Sequence, residues 1–123
     1  MVTTRAPVEI TKSGSEAVTV PRLEFTVEKE NGVAAQRVVL HDGDIARIGS
    51  HSSNHLVLTD PLVSRFHCCA KLEQGGWRLL DTGSLNGTRI SAVRVRDADL
   101  PLPECEIDVG NSRVRIRVLE AEP

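Results

Sequence analysis

Three short polar segments between residues 47 and 90 carry side chains that could hold an anion. The first is 50–54, which is rich in serine, the second contains Ser64 and Arg65, and the third is 83–88. Hydroxyls, amides and backbone N–H groups are hydrogen-bond donors, and a guanidinium adds positive charge. Several donors with a nearby cation suit a phosphate, and polar loops held by rigid strands suit an extended peptide. These residue types therefore predict binding of an oxyanion or a peptide.

Catalytic and metal-binding arrangements are not predicted. Ser64 and His67 could suggest a nucleophile with its base, but three-residue spacing in a loop-to-strand turn does not set that geometry. No third member is evident, so His67 is predicted to be a structural histidine bonded to loop backbone. Residues 42–44 read Asp-Gly-Asp, as in a calcium loop, yet the remaining ligands are missing and a plain turn is predicted. We therefore predict no enzyme, no cofactor and no metal.

Length, charge and composition exclude several other classes. The 123 residues include 15 Lys+Arg and 17 Asp+Glu, a net charge of −2, which argues against direct nucleic-acid binding. Two Phe and one Trp offer little surface for stacking bases. No apolar run approaches the roughly 18 residues of a membrane span, and no secretory signal follows Met1. The three cysteines, Cys68, Cys69 and Cys105, lack zinc or disulfide spacing, which predicts free thiols in the cytoplasm.

Short alternating apolar runs, broken by Gly, Pro, Asn and Asp, follow one another from Val20 onward. This pattern predicts an all-β sandwich or barrel whose strands position the polar segments. Residues 1–18 lack such a pattern and are predicted to be a flexible tail. The domain is predicted at 19–120, and 121–123 is predicted to begin a linker.

Three hairpins follow from their turn residues. Asn31-Gly32 predicts a two-residue turn that places Phe25 opposite Val38. Gly75-Gly76 predicts a second hairpin, with Leu72 opposite Leu79. Gly110-Asn111 predicts a third, in which three arginines of one strand face three acidic residues of the other: Arg113 with Asp108, Arg115 with Glu106, and Arg117 with Glu104. We interpret this arginine stripe as a self-neutralised sheet face rather than an anion-binding surface.

The order of the motifs resembles the forkhead-associated (FHA) domain, a phosphothreonine-peptide-binding β-sandwich. The family pattern is Gly-Arg, then Ser-x-x-His, then an Asn-Gly-Thr loop that follows an aspartate. Here Gly49 precedes the segment Ser64-Arg65-Phe66-His67, and Asp81 precedes residues 84–88, which read Ser-Leu-Asn-Gly-Thr. The resemblance extends over residues 20–119. It implies an FHA-like sandwich of about 10–11 mostly antiparallel strands, with the ligand loops at one end.

The resemblance also implies a role for each matching residue. Ser64 matches the serine whose hydroxyl binds phosphate, and Arg65 lies at the next position, which often contacts phosphate or peptide. Asn86 matches the asparagine that holds the peptide main chain, although Ser64 and Asn86 could also serve only to shape their loops. Leu85 matches a position that in some members contacts phosphate through a hydroxyl, which leucine lacks. The residues that match loop-supporting positions are Gly49, His67, Gly87 and Thr88.

One departure from the family pattern concerns the phosphate cation. Ser50 stands where the family has arginine, and a hydrogen bond to a charged group contributes about 1.5–3 kcal/mol. Its loss would weaken binding by roughly 10- to 150-fold unless another group substitutes. Arg65, Arg47 and His51 are the nearby candidates, and Arg65 is preferred because it lies in the matching loop. If none substitutes, the domain is an interaction module that binds without phosphate dependence.

The details of the motifs also resemble a subfamily, the N-terminal FHA domains of bacterial sigma-54-dependent transcriptional activators. That resemblance implies a regulatory domain in serine/threonine kinase signalling, whose partner is a phosphothreonine-containing protein or peptide. An ATPase and DNA-binding portion would then lie outside this chain.

Overall fold

The computed structural model describes residues 9–11 and 17–119 of the chain, with side chains from residue 20 onward. Regular structure in these residues is entirely β, and the predicted all-β fold is confirmed. The strands are β1 (Glu9–Thr11), β2 (Ala17–Thr19), β3 (Arg22–Glu30), β4 (Val33–Asp42), β5 (Ile45–Gly49), β6 (Leu56–Val57), β7 (Cys68–Glu73), β8 (Gly76–Asp81), β9 (Thr88–Ile90), β10 (Val93–Val95), β11 (Asp97–Asp99), β12 (Glu104–Val109) and β13 (Ser112–Leu119).

Eleven of these strands form two large sheets. The six-stranded sheet has the order β10-β9-β12-β13-β3-β4, and the five-stranded sheet has the order β11-β8-β7-β5-β6. Every pairing is antiparallel except that between β5 and β6. The strand number of the two sheets agrees with the predicted 10–11. The described residues contain no helix long and apolar enough to cross a membrane.

Strands β1 and β2 pair with each other, and all of their residues except Thr19 lie in the segment predicted to be a tail. The rest of that segment, 1–8 and 12–16, lies outside the described residues, as does the predicted linker at 121–123. The domain bounds at 19–120 stay a prediction.

The core lies between the two large sheets because alternate residues of each strand point inward. Leu23, Phe25 and Val27 of β3 are fully buried, and so are Ala46 and Ile48 of β5 in the other sheet. These residues belong to one apolar cluster that spans both sheets. The rigid sandwich fixes the strand ends from which the polar loops emerge.

The third predicted hairpin is confirmed over its whole length. Strands β12 and β13 pair in the predicted register, from Val109 opposite Ser112 to Glu104 opposite Arg117. The arginines of β13 are all ion-paired: Arg113 with Asp108, Arg115 with Glu28, Glu104 and Glu106, and Arg117 with Glu24. The stripe is therefore a self-neutralised face. Two partners, Glu24 and Glu28, come from β3, which sequence pairing alone did not identify.

The first hairpin is as predicted at its turn and wrong beyond it. Asn31 and Gly32 both have positive φ, 51° and 78°, as a two-residue turn requires. A β-bulge then adds one residue to β4, so Phe25 pairs with Val39 instead of Val38. Because one residue reverses the facing of a strand, Val39 packs against the core while Val38 is 56% exposed.

The second hairpin turns one residue earlier than predicted. Its turn is Gln74-Gly75, in which Gly75 has φ 88°, and Leu72 pairs with Trp77 instead of Leu79. Gly76 already belongs to β8. Trp77 and Leu79 alternate with Arg78 along β8, and both are buried in the core.

Candidate functional site

Three loops meet at one end of the five-stranded sheet, where its strands begin or finish. We name them by their residues: the 50–55 loop, the 58–67 loop and the 82–87 loop. Strands β5 and β8 end there and β7 begins there, because β7 is antiparallel to both. The Ser50 N–H donates to the Ser64 carbonyl at 3.0 Å, which joins the first two loops. The Leu85 N–H donates to the Ser64 hydroxyl oxygen at 3.1 Å, which joins the third.

His67 fastens two of these loops from inside the protein. Its ring is fully buried, and its Nδ1 accepts from the Ser64 N–H at 3.0 Å. The ring proton therefore lies on Nε2, which donates to the Gly87 carbonyl at 2.8 Å. A buried group that bonds two loop backbones on opposite sides is a positioning residue, and neither ring nitrogen remains available for proton transfer to a ligand.

Gly49 allows the 58–67 loop to cross closely over the end of β5. A Cβ at this position would lie 2.2 Å from the Arg65 carbonyl oxygen, too close for any side chain. Asn54 strengthens the same crossing, because its side-chain N–H2 donates to the carbonyls of His51 and Arg65 at 2.8 and 2.7 Å. The backbone that carries Ser64 and Arg65 is thus fixed by close packing.

Asp81 fixes the conformation of the 82–87 loop from the N-terminal end of the loop. Its carboxylate accepts from the N–H groups of Gly83 and Ser84 at 2.9 and 2.8 Å, and from the hydroxyls of Ser84 and Thr88 at 2.5 and 2.9 Å. Burial alone would raise the pKa of Asp81, but these hydrogen bonds outweigh it and lower the pKa below its usual value. The Ser84 hydroxyl oxygen also accepts from the Gly87 N–H at 2.9 Å, which closes the loop.

Asp60 anchors the 58–67 loop to the six-stranded sheet. It is 4% exposed, and its carboxylate accepts from the Leu62 N–H at 2.9 Å. The Asn111 N–H and the Ser112 hydroxyl donate to its other oxygen at 2.8 and 2.7 Å. The 58–67 loop, which carries Ser64, is therefore held to the β12–β13 turn by the buried carboxylate of Asp60.

The residues that remain available at the junction are the ones suited to an anionic peptide. The Ser64 hydroxyl accepts from Leu85 but has no acceptor for its own proton among the described residues. Arg65 is exposed and has no ion pair in that part of the chain. The Asn86 amide donates to the Leu62 carbonyl at 2.9 Å, which leaves its oxygen to accept from a ligand backbone.

The structure brings five of the six predicted ligand residues to this junction: Ser50, Ser64, Arg65, Leu85 and Asn86. Arg47 lies on the outer face of β5, opposite Cys69, and its backbone is hydrogen-bonded to His55 of the 50–55 loop. It lines a depression of about 180 Å³ together with one residue from each of the three loops, Asn54, Phe66 and Thr82. His51 packs its ring on Phe66, with 5.1 Å between ring centroids.

Exposed apolar side chains surround the polar groups. Leu62 and Phe66 of the 58–67 loop are 48% and 49% exposed, and Leu85 at the tip of the 82–87 loop is 84% exposed. A bound peptide would cover part of this surface, so burial of apolar area adds to any contact with phosphate.

Sequence reasoning missed the residues that support these loops from behind, which are Asn54, Asp60 and the Thr82 hydroxyl, a donor to the Phe66 carbonyl. Asp81 was recognised as part of the motif but given no role. The available signal was local: Asp60 precedes a proline, and Asp81 precedes a Thr-Gly-Ser turn, where an aspartate accepts from backbone N–H groups two or three residues on.

The fold and this site define the class of the protein. The family model described as "FHA domain" matches residues 46–110, and the chain belongs to the FHA domain family. The fold is similar to that of a solved structure described as a structural and functional analysis of phosphothreonine-dependent FHA domain interactions. That structure has a TM-score of 0.67 and 22% identity, and the alignment covers 83% of this chain and 98% of the other.

Two curated relatives add sequence similarity. The glycogen accumulation regulator GarA of Mycobacterium tuberculosis is 33% identical over 110 residues, which are 89% of this chain and 66% of the relative. The oxoglutarate dehydrogenase inhibitor of Corynebacterium diphtheriae is 29% identical over 104 residues, which are 85% of this chain and 71% of the relative. The chain thus spans slightly less than two thirds of the length of GarA.

These relatives are not of the expected subfamily. The predicted similarity to sigma-54-dependent activators, with an ATPase and DNA-binding portion, is not supported, since the relatives are named as a metabolic regulator and an enzyme inhibitor. The prediction of a binding domain agrees with the matched family, which is not a catalytic one. Several residues of these motifs, among them Gly49, His67 and Asp81, support the loops of this fold, so the motifs indicate the family and not any attached domain.

Proposed function

We propose that the junction of the three loops binds a phosphothreonine segment of a partner protein. The observation that carries this proposal is that one rigidly held loop presents both an available Ser64 hydroxyl and an exposed Arg65 that has no ion pair among the described residues. A phosphate carries about −1.5 to −2 charges at neutral pH and three acceptor oxygens, so it matches one donor and one guanidinium. The Asn86 side-chain oxygen would accept from the peptide backbone beside the phosphothreonine.

Arg65 takes over the charge that Ser50 cannot supply. Ser50 contributes its hydroxyl from the adjoining loop, because its N–H already bonds the Ser64 carbonyl. The site therefore has one arginine at the phosphate instead of two. We expect binding that depends on phosphate and is weaker by about ten-fold or more than a site with both cations.

The relatives suggest what such binding serves. One is named for regulating glycogen accumulation and another for inhibiting oxoglutarate dehydrogenase. We infer that this chain is a regulatory module that controls a metabolic enzyme by binding to a partner, rather than by catalysis of its own. We place it in the cytoplasm, as its unpaired thiols suggest.

The proposal is tested with two peptide libraries of identical random flanks, one centred on phosphothreonine and the other on threonine. Fluorescence anisotropy with the wild-type protein should show tighter binding of the phosphorylated library. Ser64→Ala and Arg65→Gln should each remove most of that difference. Equal binding of both libraries by the wild-type protein would overturn the proposal and favour phosphate-independent interaction.

Arg113→Gln is the matched control for the loss of one positive charge. Arg113 is ion-paired with Asp108 on the self-neutralised face of β13. This variant should keep the full difference between the two libraries. A loss as large as that of Arg65→Gln would mean that net charge, and not a local contact, determines binding.

A further inference from the structure

Arginines without a carboxylate partner are concentrated around the 82–87 loop. In the part of the chain whose side chains are described, six arginines are ion-paired: Arg22, Arg37, Arg78, Arg113, Arg115 and Arg117. The five without such a partner are Arg47, Arg65, Arg89, Arg94 and Arg96. Arg65 lies on one side of the 82–87 loop, and three of the others lie on or beside the β9–β10 hairpin. Four of these five arginines therefore lie on or next to the 82–87 loop.

The strand register explains why the hairpin arginines share a face. Arg94 lies opposite Arg89, and Val95 lies opposite Thr88, which is fully buried. Because side chains alternate along a strand, Arg89, Arg94 and Arg96 point away from the core. Like charges directly opposite each other are destabilising in an antiparallel pair. Arg89 also lies opposite Asp108 of β12, whereas the strand pairing gives Arg94 no such acidic residue.

The Arg94 side chain lies over the 82–87 loop. A Cβ added to Gly87 would lie 2.5 Å from Arg94 Nε and 2.9 Å from Arg94 Cζ, so the guanidinium rests against the Gly87 backbone. Gly87 follows Asn86, and Leu85 bonds the Ser64 hydroxyl. Two residues span at most about 7 Å of chain. A peptide bound at Ser64 therefore passes within a few residues of Arg94.

Arg94 and Arg96 also line a depression of about 300 Å³ together with Asp81, Gly83 and Ser84. Asp81 is the one carboxylate among these residues, and all its acceptor capacity toward the loop is used by Gly83, Ser84 and Thr88. It forms no ion pair with either arginine. The depression is therefore positively charged and open to an anionic group.

We propose that Arg94 and Arg96 form a second anion-binding subsite, which takes an acidic or phosphorylated side chain of the same peptide whose phosphothreonine lies at Ser64. This inference rests on the proposed function and specifies which peptides the site prefers. It adds a sequence requirement that Ser64, Arg65 and Asn86 cannot impose, because those three contact only the phosphate and the backbone.

The experiment scans one residue at a time along a phosphothreonine peptide with otherwise neutral flanks. Aspartate, asparagine or phosphoserine is placed at each of the positions near the phosphothreonine, and affinity is measured by anisotropy at low salt. Aspartate should bind about 3- to 10-fold more tightly than asparagine at one or two neighbouring positions. An equal or larger gain with phosphoserine at the same position identifies a general anion subsite, and a gain with aspartate alone identifies a carboxylate subsite.

The variant Arg94→Gln/Arg96→Gln should abolish that gain while leaving the preference for phosphothreonine over threonine. Arg113→Gln combined with Arg117→Gln removes the same charge from the ion-paired face and should keep the gain. The subsite is overturned if the wild-type protein shows no preference for an acidic residue. It is also overturned if Arg94→Gln/Arg96→Gln shows the same preference as the wild type. If the wild-type protein binds acidic peptides through Arg94 and Arg96 without any preference for phosphothreonine, the subsite stands and the proposed function fails.

Discussion

Replacing Asp81 by asparagine tests whether a buried network of hydrogen bonds shapes the recognition loop. The carboxylate accepts four hydrogen bonds, two from the backbone of Gly83 and Ser84 and two from the hydroxyls of Ser84 and Thr88. Asparagine keeps one oxygen for the backbone donors but places an N–H2 group where both hydroxyls need an acceptor. Each donor that loses its acceptor costs about 1–3 kcal/mol, and partial exposure reduces this, so we expect a loss of about 2 kcal/mol.

The effect should depend on pH in a defined direction. Hydrogen bonds to the charged form lower the pKa of Asp81 in the folded state. Its stabilisation is then fully present above the unfolded-state pKa of about 4 and is lost as the pH falls through the folded-state value. The difference in unfolding free energy between wild type and Asp81→Asn should be constant from about pH 7 to pH 5 and should narrow below about pH 4.

Urea denaturation followed by Trp77 fluorescence at a series of pH values measures this difference. A loss of about 2 kcal/mol lowers the urea midpoint by on the order of 1 M. Asp97→Asn is the control, because Asp97 forms an exposed ion pair with Arg78 and should contribute less than about 1 kcal/mol. No loss of stability at pH 7, or a difference that widens on acidification, would refute the reasoning.

Three further predictions concern the supports of the site and one thiol. Gly49→Ala should lose about 1–3 kcal/mol of stability by urea denaturation, because its Cβ would meet the Arg65 carbonyl, whereas Gly76→Ala, which meets nothing within 4 Å, should be nearly neutral. Asp60→Asn should lose about 2–4 kcal/mol and weaken phosphopeptide binding in anisotropy, since three donors lose a buried carboxylate; unchanged binding would show that this anchor does not position the loop. Burial raises the pKa of Cys105 to about 11, and neighbouring carboxylates add to the effect. Iodoacetamide at pH 8 should therefore alkylate Cys105 about 100-fold more slowly in the folded than in the unfolded protein, measured by mass spectrometry, and equal rates would contradict this prediction.

The register of a hairpin was predictable from sequence where the turn and the two paired strands alone determine it. The β12–β13 register follows from its turn and from its alternating charges, and it holds to the last pair. The β3–β4 register fails beyond Lys29 because a bulge in β4 depends on how the long edge strand twists against its neighbours. The predicted β7–β8 turn is wrong by one residue because Gln74-Gly75 and Gly75-Gly76 are both possible turns, and either one leaves Trp77 on the same face of the sheet.

The candidate site divides in the same way. The residues that could contact a ligand, Ser64, Arg65 and Asn86, were identifiable because their types and order are local features. The supports were not, because Asp60 meets Ser112 across 52 residues of sequence and only the fold brings them together. In the sequence, nothing distinguishes Arg94 and Arg96 from ordinary exposed residues. They stand out only because the fold gives six other arginines an ion-pair partner.

The most direct test of the account is the contact between phosphate and the loop junction. Amide spectra of the ¹⁵N-labelled protein should be recorded during titration with a phosphothreonine peptide and with its unphosphorylated twin. We predict that the phosphopeptide alone shifts the Leu85 amide, which now bonds the Ser64 hydroxyl, together with the Arg65 side-chain Nε–H resonance. Identical shifts with both peptides, or phosphopeptide shifts confined to the ion-paired face of β12 and β13, would contradict a phosphate site at Ser64 and Arg65.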